Sequence, residues 1–83
     1  MSRDTARRAA TLRNDDDFRL FAARRSGVTD RAFGADAAGV YLRQVCQIPD
    51  IGELAVNPEA QARFAELEAA FAEWCARHGR RAA

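Results

Sequence analysis

Two residues near the end of the chain have the side chains and the spacing of metal ligands. Cys75 and His78 are three residues apart, so a helix would place both on one face. A structural zinc site takes four such ligands, usually from two paired sets. Cys46 could supply a third, but the sequence offers no clear fourth. We therefore predict no metal site, and we interpret His78 as a partner for a helix dipole.

A run of aspartates at 15–17 is the other group that invites a metal interpretation. Consecutive side chains on a helix point in different directions, so these carboxylates would not converge on one ion. We expect Asn14 to cap a helix instead. The three acids would then lie in its first turn, where the helix dipole favours negative charge.

The chain lacks a recognisable catalytic set. It has one His, no Gly-x-Ser-x-Gly elbow and no glycine-rich phosphate loop. Cys46 and Cys75 fall on apolar helix faces, where a thiolate is disfavoured and a buried reduced thiol is expected. The sequence therefore predicts a non-enzymatic protein with no catalytic residue and no cofactor.

All thirteen positive charges are Arg, and they are unevenly distributed. Residues 1–13 have four Arg and one Asp, residues 76–83 have three Arg and no acid, and residues 14–75 carry a net charge of −5. The total of +1 gives no global field for nucleic acid. The ends either fray in solvent, over 1–4 and 79–83, or bind phosphate or an acidic protein. The arginines predicted to bind a partner are Arg3, Arg7, Arg8, Arg77, Arg80 and Arg81.

A degenerate helix-turn-helix motif supports an alternative, direct DNA binding. Residues 23–29 have the Ala, Gly, apolar residue and Thr of such a turn, and Phe33 falls where the second helix should point inward. Ser26 and Asp36, however, occupy positions that normally pack in the core. Asp30 and Asp36 would also repel phosphate. DNA binding through this turn or through the basic ends is therefore the second hypothesis.

The elements that must position these residues are helices. No apolar run approaches the length of a membrane span and no signal-peptide core is present, so a cytoplasmic protein is expected. Residues 1–83 are predicted to form one domain, a compact all-α bundle. Its four helices are expected at about 3–13, 15–25, 36–47 and 58–78, with a possible extra turn at 50–55.

Sequence signals mark where the helices end and where one of them is weak. The Ser-Gly pair at 26–27 is a plausible stop for the second helix. Asp50 and Glu53 have the spacing of a capping box, and Asn57 is expected to cap the last helix with a proline in its first position. Gly39 weakens the third helix by about 1 kcal/mol and would permit close approach of a neighbouring helix.

The last helix has the clearest apolar face in the chain. Its large apolar residues are spaced three, four and three apart, which places them in one stripe. The predicted core of the bundle comprises Phe18, Phe21, Tyr41, Leu42, Val45, Ile48, Leu54, Phe64, Leu67, Phe71 and Trp74.

From residue 41 to about residue 75 the chain resembles small uncharacterised α-helical proteins encoded by phages and prophages. The resemblance rests on Leu42-Arg43, Cys46, Ile48, Glu53-Leu54, Pro58, Ala60, Arg63-Phe64, Leu67, Phe71 and Trp74. The chain departs from that pattern where Phe71 and Trp74 are three residues apart rather than four, and at Gly52. The resemblance implies a shared fold and a partner in DNA metabolism or defence, but no catalytic residue.

The sequence thus predicts a small phage-type accessory protein that acts by binding another protein, in the host cytoplasm if it is phage-encoded. A third hypothesis is a structural, self-associating protein. In that case leftover apolar surface at Val28, Phe33 or Val56 would form a homodimer.

Overall fold

The computed structural model describes residues 3–27 and 34–79, and within them the chain is an all-α bundle, as predicted. Each predicted helix boundary agrees with the structure to within one residue. Of the ends expected to fray, residues 3 and 4 are helical, whereas 1–2 and 80–83 lie outside the described residues. The elements are α1 (Arg3–Leu12), α2 (Asp16–Arg25), α3 (Ala35–Cys46), a short 3-10 helix η1 (Ile51–Ala55) and α4 (Pro58–Arg77).

The longest helix, α4, begins as the sequence predicts. The Asn57 side-chain oxygen accepts hydrogen bonds from the backbone N–H groups of Glu59 and Ala60, each at 3.1 Å. Pro58 occupies the first helical position, where its missing N–H costs no hydrogen bond. The cap and the proline together fix where α4 starts and therefore the register of its apolar stripe.

Helix α2 starts one residue later than predicted, with Asp15 rather than Asn14 as its cap. An Asp15 carboxylate oxygen accepts the backbone N–H groups of Asp17 at 2.9 Å and Phe18 at 3.2 Å. The prediction for Asn14 was wrong because its side-chain amide donates backwards, to the Ala10 carbonyl at 3.2 Å. Asn14 therefore helps to end α1.

The predicted capping box at 50–53 does not form. The Asp50 side chain makes no capping hydrogen bond, and the Glu53 N–H instead donates to the Asp50 backbone carbonyl at 3.0 Å. The Asp50 carboxylate lies beside Gly52, where a Cβ would be 2.9 Å from its Oδ2. The result is the tight 3-10 turn η1, which buries Leu54.

Most of the predicted core is confirmed, and a cluster of aromatic rings lies at its centre. The Phe71 ring is 5.3 Å from the Phe18 ring and 5.2 Å from the Phe21 ring, measured between centroids. The predicted burial of Tyr41 and Val45 was wrong: both are half-buried and pack against the edge of the core. Small residues complete the interior, namely Ala9, Ala22, Ala38, Ala60 and the two free cysteines, Cys46 and Cys75.

Gly39 permits a close approach, but of a side chain rather than of a helix. A Cβ at this position would lie 2.9 Å from Cζ of Arg13. The Arg13 guanidinium donates to the Ala35 carbonyl and to the Asp36 carboxylate, both at 3.3 Å. Arg13 thereby joins the end of α1 to the first turn of α3.

Candidate functional site

Arg8, one of the arginines predicted to bind a partner, makes an ion pair with another helix of the same chain. Arg8 Nε lies 3.0 Å from one oxygen of Glu68 on α4, and Nη2 lies 3.2 Å from the other. The hydrogen bond and the charge of Glu68 together raise the pKa of Arg8. Its guanidinium also lies 5.9 Å from the centre of the Phe64 ring. Arg8 therefore holds α1 against α4.

Of the other predicted arginines with described side chains, Arg7 lines the same surface depression as Arg8, whereas Arg77 does not. Arg7 is exposed on α1, and Arg77 lies 3.8 Å from Glu73 one turn earlier on the same helix. Arg3 begins α1, but its side chain lies outside the described residues, as do Arg80 and Arg81. The basic ends remain a prediction.

The described parts of the chain, 3–27 and 34–79, contain no group of three residues that could hold a metal ion. Cys75 is 3% exposed and belongs to the core. His78 follows the last turn of α4, where its ring packs 4.7 Å from the Trp74 ring.

Of the proposed DNA-binding turn, residues 23–27 are described: α2 ends at Arg25, and Ser26 is exposed. Residues 28–33, which include Asp30 and Phe33 of the motif, lie outside the described residues. Asp36, at another position that the motif would pack in the core, is exposed in the first turn of α3. Of the apolar residues proposed for self-association, Val56 is 64% exposed, whereas Val28 and Phe33 also lie outside the described residues.

In the part of the chain that the structure describes, two surface depressions are candidate binding sites, and the first lies between α1 and α4. It has a volume of about 300 Å³ and contains the predicted residues Arg7 and Arg8. Its charges oppose one another, because Asp15 and Glu68 line it as well. Because Arg8 is bound to Glu68 and Asp15 caps α2, the polar side chains that remain available to a ligand in this depression are those of Arg7 and Thr11.

The second depression lies between α3 and α4 and is smaller. Its volume is about 180 Å³, and a cavity of roughly 150 Å³ is large enough for a benzene ring. It can therefore hold one aromatic or aliphatic side chain. We call it the Tyr41 groove; it is lined by Arg25, Tyr41, Val45, Arg63, Glu66, Leu67 and Ala70.

Helical spacing explains how the groove is built. Tyr41 and Val45 are four residues apart on α3, so they share the flank beside the buried face of that helix. Leu67 and Ala70 are three residues apart on α4 and form the opposite wall. Arg25 comes from the last turn of α2, and its guanidinium lies 5.2 Å from the centre of the Phe21 ring.

The arginines around the groove differ in the hydrogen bonds and ion pairs that they already make within the protein. Arg63 donates to the Cys46 carbonyl at 3.3 Å and lies 3.8 Å from Glu59. Arg25, in contrast, has no ion pair or hydrogen bond within residues 3–27 and 34–79. The cationic end of Arg25 is therefore available to a ligand.

The Tyr41 hydroxyl is a second available donor. Within the described chain it makes no hydrogen bond. Burial raises the pKa of Tyr41, and the positive charge of Arg25 offsets part of that rise. The hydroxyl is thus protonated at neutral pH and lies close enough to Arg25 to feel its charge. Together the two side chains present hydrogen-bond donors beside an apolar cavity.

Comparison of the chain with protein-family models, with curated proteins and with solved structures finds no match. Among the described residues, no helix combines the length and the apolar character needed to cross a membrane. Among the described residues, the Tyr41 groove is a candidate site that combines apolar side chains with an arginine that makes no ion pair.

Sequence reasoning missed this groove because Tyr41 and Val45 continue the apolar stripe of α3. The signal that could have revealed it is the residue type of Tyr41. Tyrosine has an apolar ring and a polar tip, so it favours the boundary between core and solvent. The adjacent Arg24 and Arg25 at the end of α2 were a second signal, since no acid on that helix is spaced to pair with both.

Proposed function

We propose that this chain is a small non-enzymatic binding protein whose Tyr41 groove holds a side chain of a partner protein. The observation that supports it is the pairing of two unused donors, Arg25 and Tyr41, with an apolar cavity the size of one ring. Buried apolar anchors flanked by polar groups supply most of the binding energy in protein interfaces. The cavity would thus be the centre of the contact and the exposed faces of α3 and α4 its rim.

The biological setting belongs to the same proposal. The resemblance of residues 41–75 to small phage and prophage proteins favours an accessory protein whose partner acts in DNA metabolism or defence. A cytoplasmic location would keep Cys46 and Cys75 reduced, in agreement with two buried free thiols.

A capture experiment with two matched charge reversals tests the role of the groove. Arg24 and Arg25 are neighbours in the last turn of α2, both exposed and both without an ion pair in the described chain, but only Arg25 lines the groove. Immobilised wild type and Arg24→Glu should capture the same partner protein from a host lysate. Arg25→Glu should lose it, because the cation beside the cavity is replaced by an anion.

A second pair of variants tests the cavity itself. Ala70→Gln places a longer side chain into the groove, whereas Ala69→Gln adds the same group to an exposed position next to it. Capture should survive the change at Ala69 and fail after the change at Ala70. Equal capture by all four variants would contradict the proposal, and so would capture that disappears when the lysate is treated with nuclease. Circular dichroism of each variant checks that it is folded.

A further inference from the structure

The unused charges around the Tyr41 groove suggest which partner chemistry it accepts. Within residues 3–27 and 34–79, the arginines that lie within ion-pair distance of an acid are Arg8, Arg13, Arg19, Arg63 and Arg77. The arginines with described side chains that do not pair in this way are Arg7, Arg24, Arg25 and Arg43, and of these four only Arg25 lines the groove. The end of the groove formed by Arg25 therefore attracts an anion and repels a cation.

We propose that the groove binds an acidic amphipathic helix of a partner protein. One aromatic or aliphatic side chain of that helix enters the cavity. An Asp or Glu one turn away accepts hydrogen bonds from the Arg25 guanidinium and the Tyr41 hydroxyl. The inference rests on the proposed function and adds the chemical identity of the bound segment.

Side-chain geometry favours a carboxylate at this position. The guanidinium is a planar fork that matches the two oxygens of a carboxylate, and such charge-assisted bonds are stronger than neutral ones. Arg8 already binds Glu68 with that geometry elsewhere in the molecule. The Tyr41 hydroxyl adds a donor that stays protonated at neutral pH.

The size and walls of the groove favour a helix over a free small molecule. Pockets for small molecules have volumes of about 300–1,000 Å³, whereas this cavity has about 180 Å³, enough for one side chain. Residues three or four apart on a helix lie about 5–6 Å from one another on one face. An apolar anchor and an acid one turn away therefore reach the cavity and its rim together.

Glu66 limits the charge that the bound helix can have beside α4. It lines the same groove from α4, is exposed and has no ion pair in the described chain. A second acid of the partner near Glu66 would be repelled. The residue of the bound helix that lies nearest to Glu66 should consequently be neutral or basic.

Selection from a displayed library of helical peptides tests this chemistry without knowledge of the natural partner. Peptides are selected on the wild-type protein and depleted on Arg25→Glu. The enriched sequences should have Phe, Trp or Leu with Asp or Glu three or four residues away. Synthetic versions, labelled for fluorescence anisotropy, should bind Arg25→Glu about tenfold more weakly than wild type or Arg24→Glu. Tyr41→Phe should weaken binding about threefold to tenfold, since it removes one hydrogen bond.

Three results would overturn the inference: enrichment of neutral or basic sequences, peptides that bind Arg25→Glu as well as Arg24→Glu, or no enrichment on wild type. The proposed function fails separately. If lysate capture depends on Arg25 and Ala70 while the library gives no acidic helix, only the acidic helix is wrong. If capture is unchanged by the groove variants, the proposed function itself is wrong.

Discussion

The two sides of α4 are packed by different kinds of side chain. Toward α2, α4 presents aromatic rings: Phe71 contacts the rings of both Phe18 and Phe21, and Trp74 lies 5.7 Å from Phe21. Toward α1, the contact is an exposed ion pair between Arg8 and Glu68, with the Arg8 guanidinium 5.9 Å from the centre of the Phe64 ring. The bundle is therefore asymmetric in the interactions that stabilise it.

Because these interactions differ, mutation and salt should affect the stability of the two sides of α4 to different extents. An aromatic side chain buries about 150–250 Å² of surface, and salt does not screen the stabilisation that this burial provides. An exposed ion pair contributes only about 0.2–1 kcal/mol and is screened by salt. We expect the α1 side to open more readily than the α2 side, and protection of its amides from hydrogen exchange should be lower.

The largest effect should come from the aromatic side. Phe71→Ala removes a ring that packs against three others, and it should lower the free energy of unfolding by about 3–5 kcal/mol. The same cost is expected for Phe64→Ala, because Phe64 is fully buried. Urea denaturation followed by Trp74 fluorescence measures both. A loss below about 1 kcal/mol would show that the ring cluster does not dominate stability.

An intermediate loss of stability is expected when the small residue that α1 buries, Ala9, is replaced by a larger one. Ala9 is fully buried, so Ala9→Leu overpacks the α1 side and should cost about 1–3 kcal/mol. Ala10→Leu, one residue later and exposed, is the control and should be nearly neutral. Urea denaturation of the two variants gives the comparison. Equal stability of both would mean that α1 adjusts its position freely on the bundle.

The ion pair between α1 and α4 should have a smaller effect that depends on salt. A double-mutant cycle with Arg8→Ala and Glu68→Ala should give a coupling free energy of about 0.2–1 kcal/mol at low ionic strength. The coupling should shrink in 1 M salt because exposed charges are screened. A coupling that is unaffected by salt would show that the contact works through packing on Phe64 rather than through charge.

The smallest effect should be a loss of stability at alkaline pH that arises from Tyr41 and Cys46. Burial raises the pKa of Tyr41 and of Cys46, so the folded state binds these protons more tightly than the unfolded state. Their contribution to stability is complete below the unfolded pKa values, about 8.5 for Cys and 10 for Tyr. This contribution is lost as the pH rises through the higher pKa values that the two groups have in the folded state. Tyr41→Phe should therefore lose less stability than wild type between about pH 9 and 11, measured as urea midpoints. Parallel curves would contradict the burial of Tyr41.

The elements of the fold could be predicted where local chemistry decides them. Asn57 with its following proline determines the start of α4, and Phe64, Leu67 and Phe71 determine its buried face. These signals depend on neighbours in sequence. They gave the helices, their boundaries and most of the aromatic core.

The site depends on contacts between distant residues, which local patterns do not contain. The Arg8–Glu68 pair joins residues 60 positions apart, and nothing near Arg8 in the sequence shows that this arginine is already used. The position of Tyr41 at the edge of the core follows from how α3 packs on α4. Alanine faces such as that of Ala9 also give no directional signal, since Ala is accepted on either side of a helix.

The residue that ends α3 has a strained backbone conformation. Gln47 adopts a left-handed backbone conformation, with φ of 58°, at a position where helices most often have Gly. A side chain in that conformation costs roughly 1–2 kcal/mol. The protein thus contains a reserve of stability that a single exchange, Gln47→Gly, would release. Such a reserve would let the chain accept a destabilising change of similar size elsewhere in the fold without a net loss of stability.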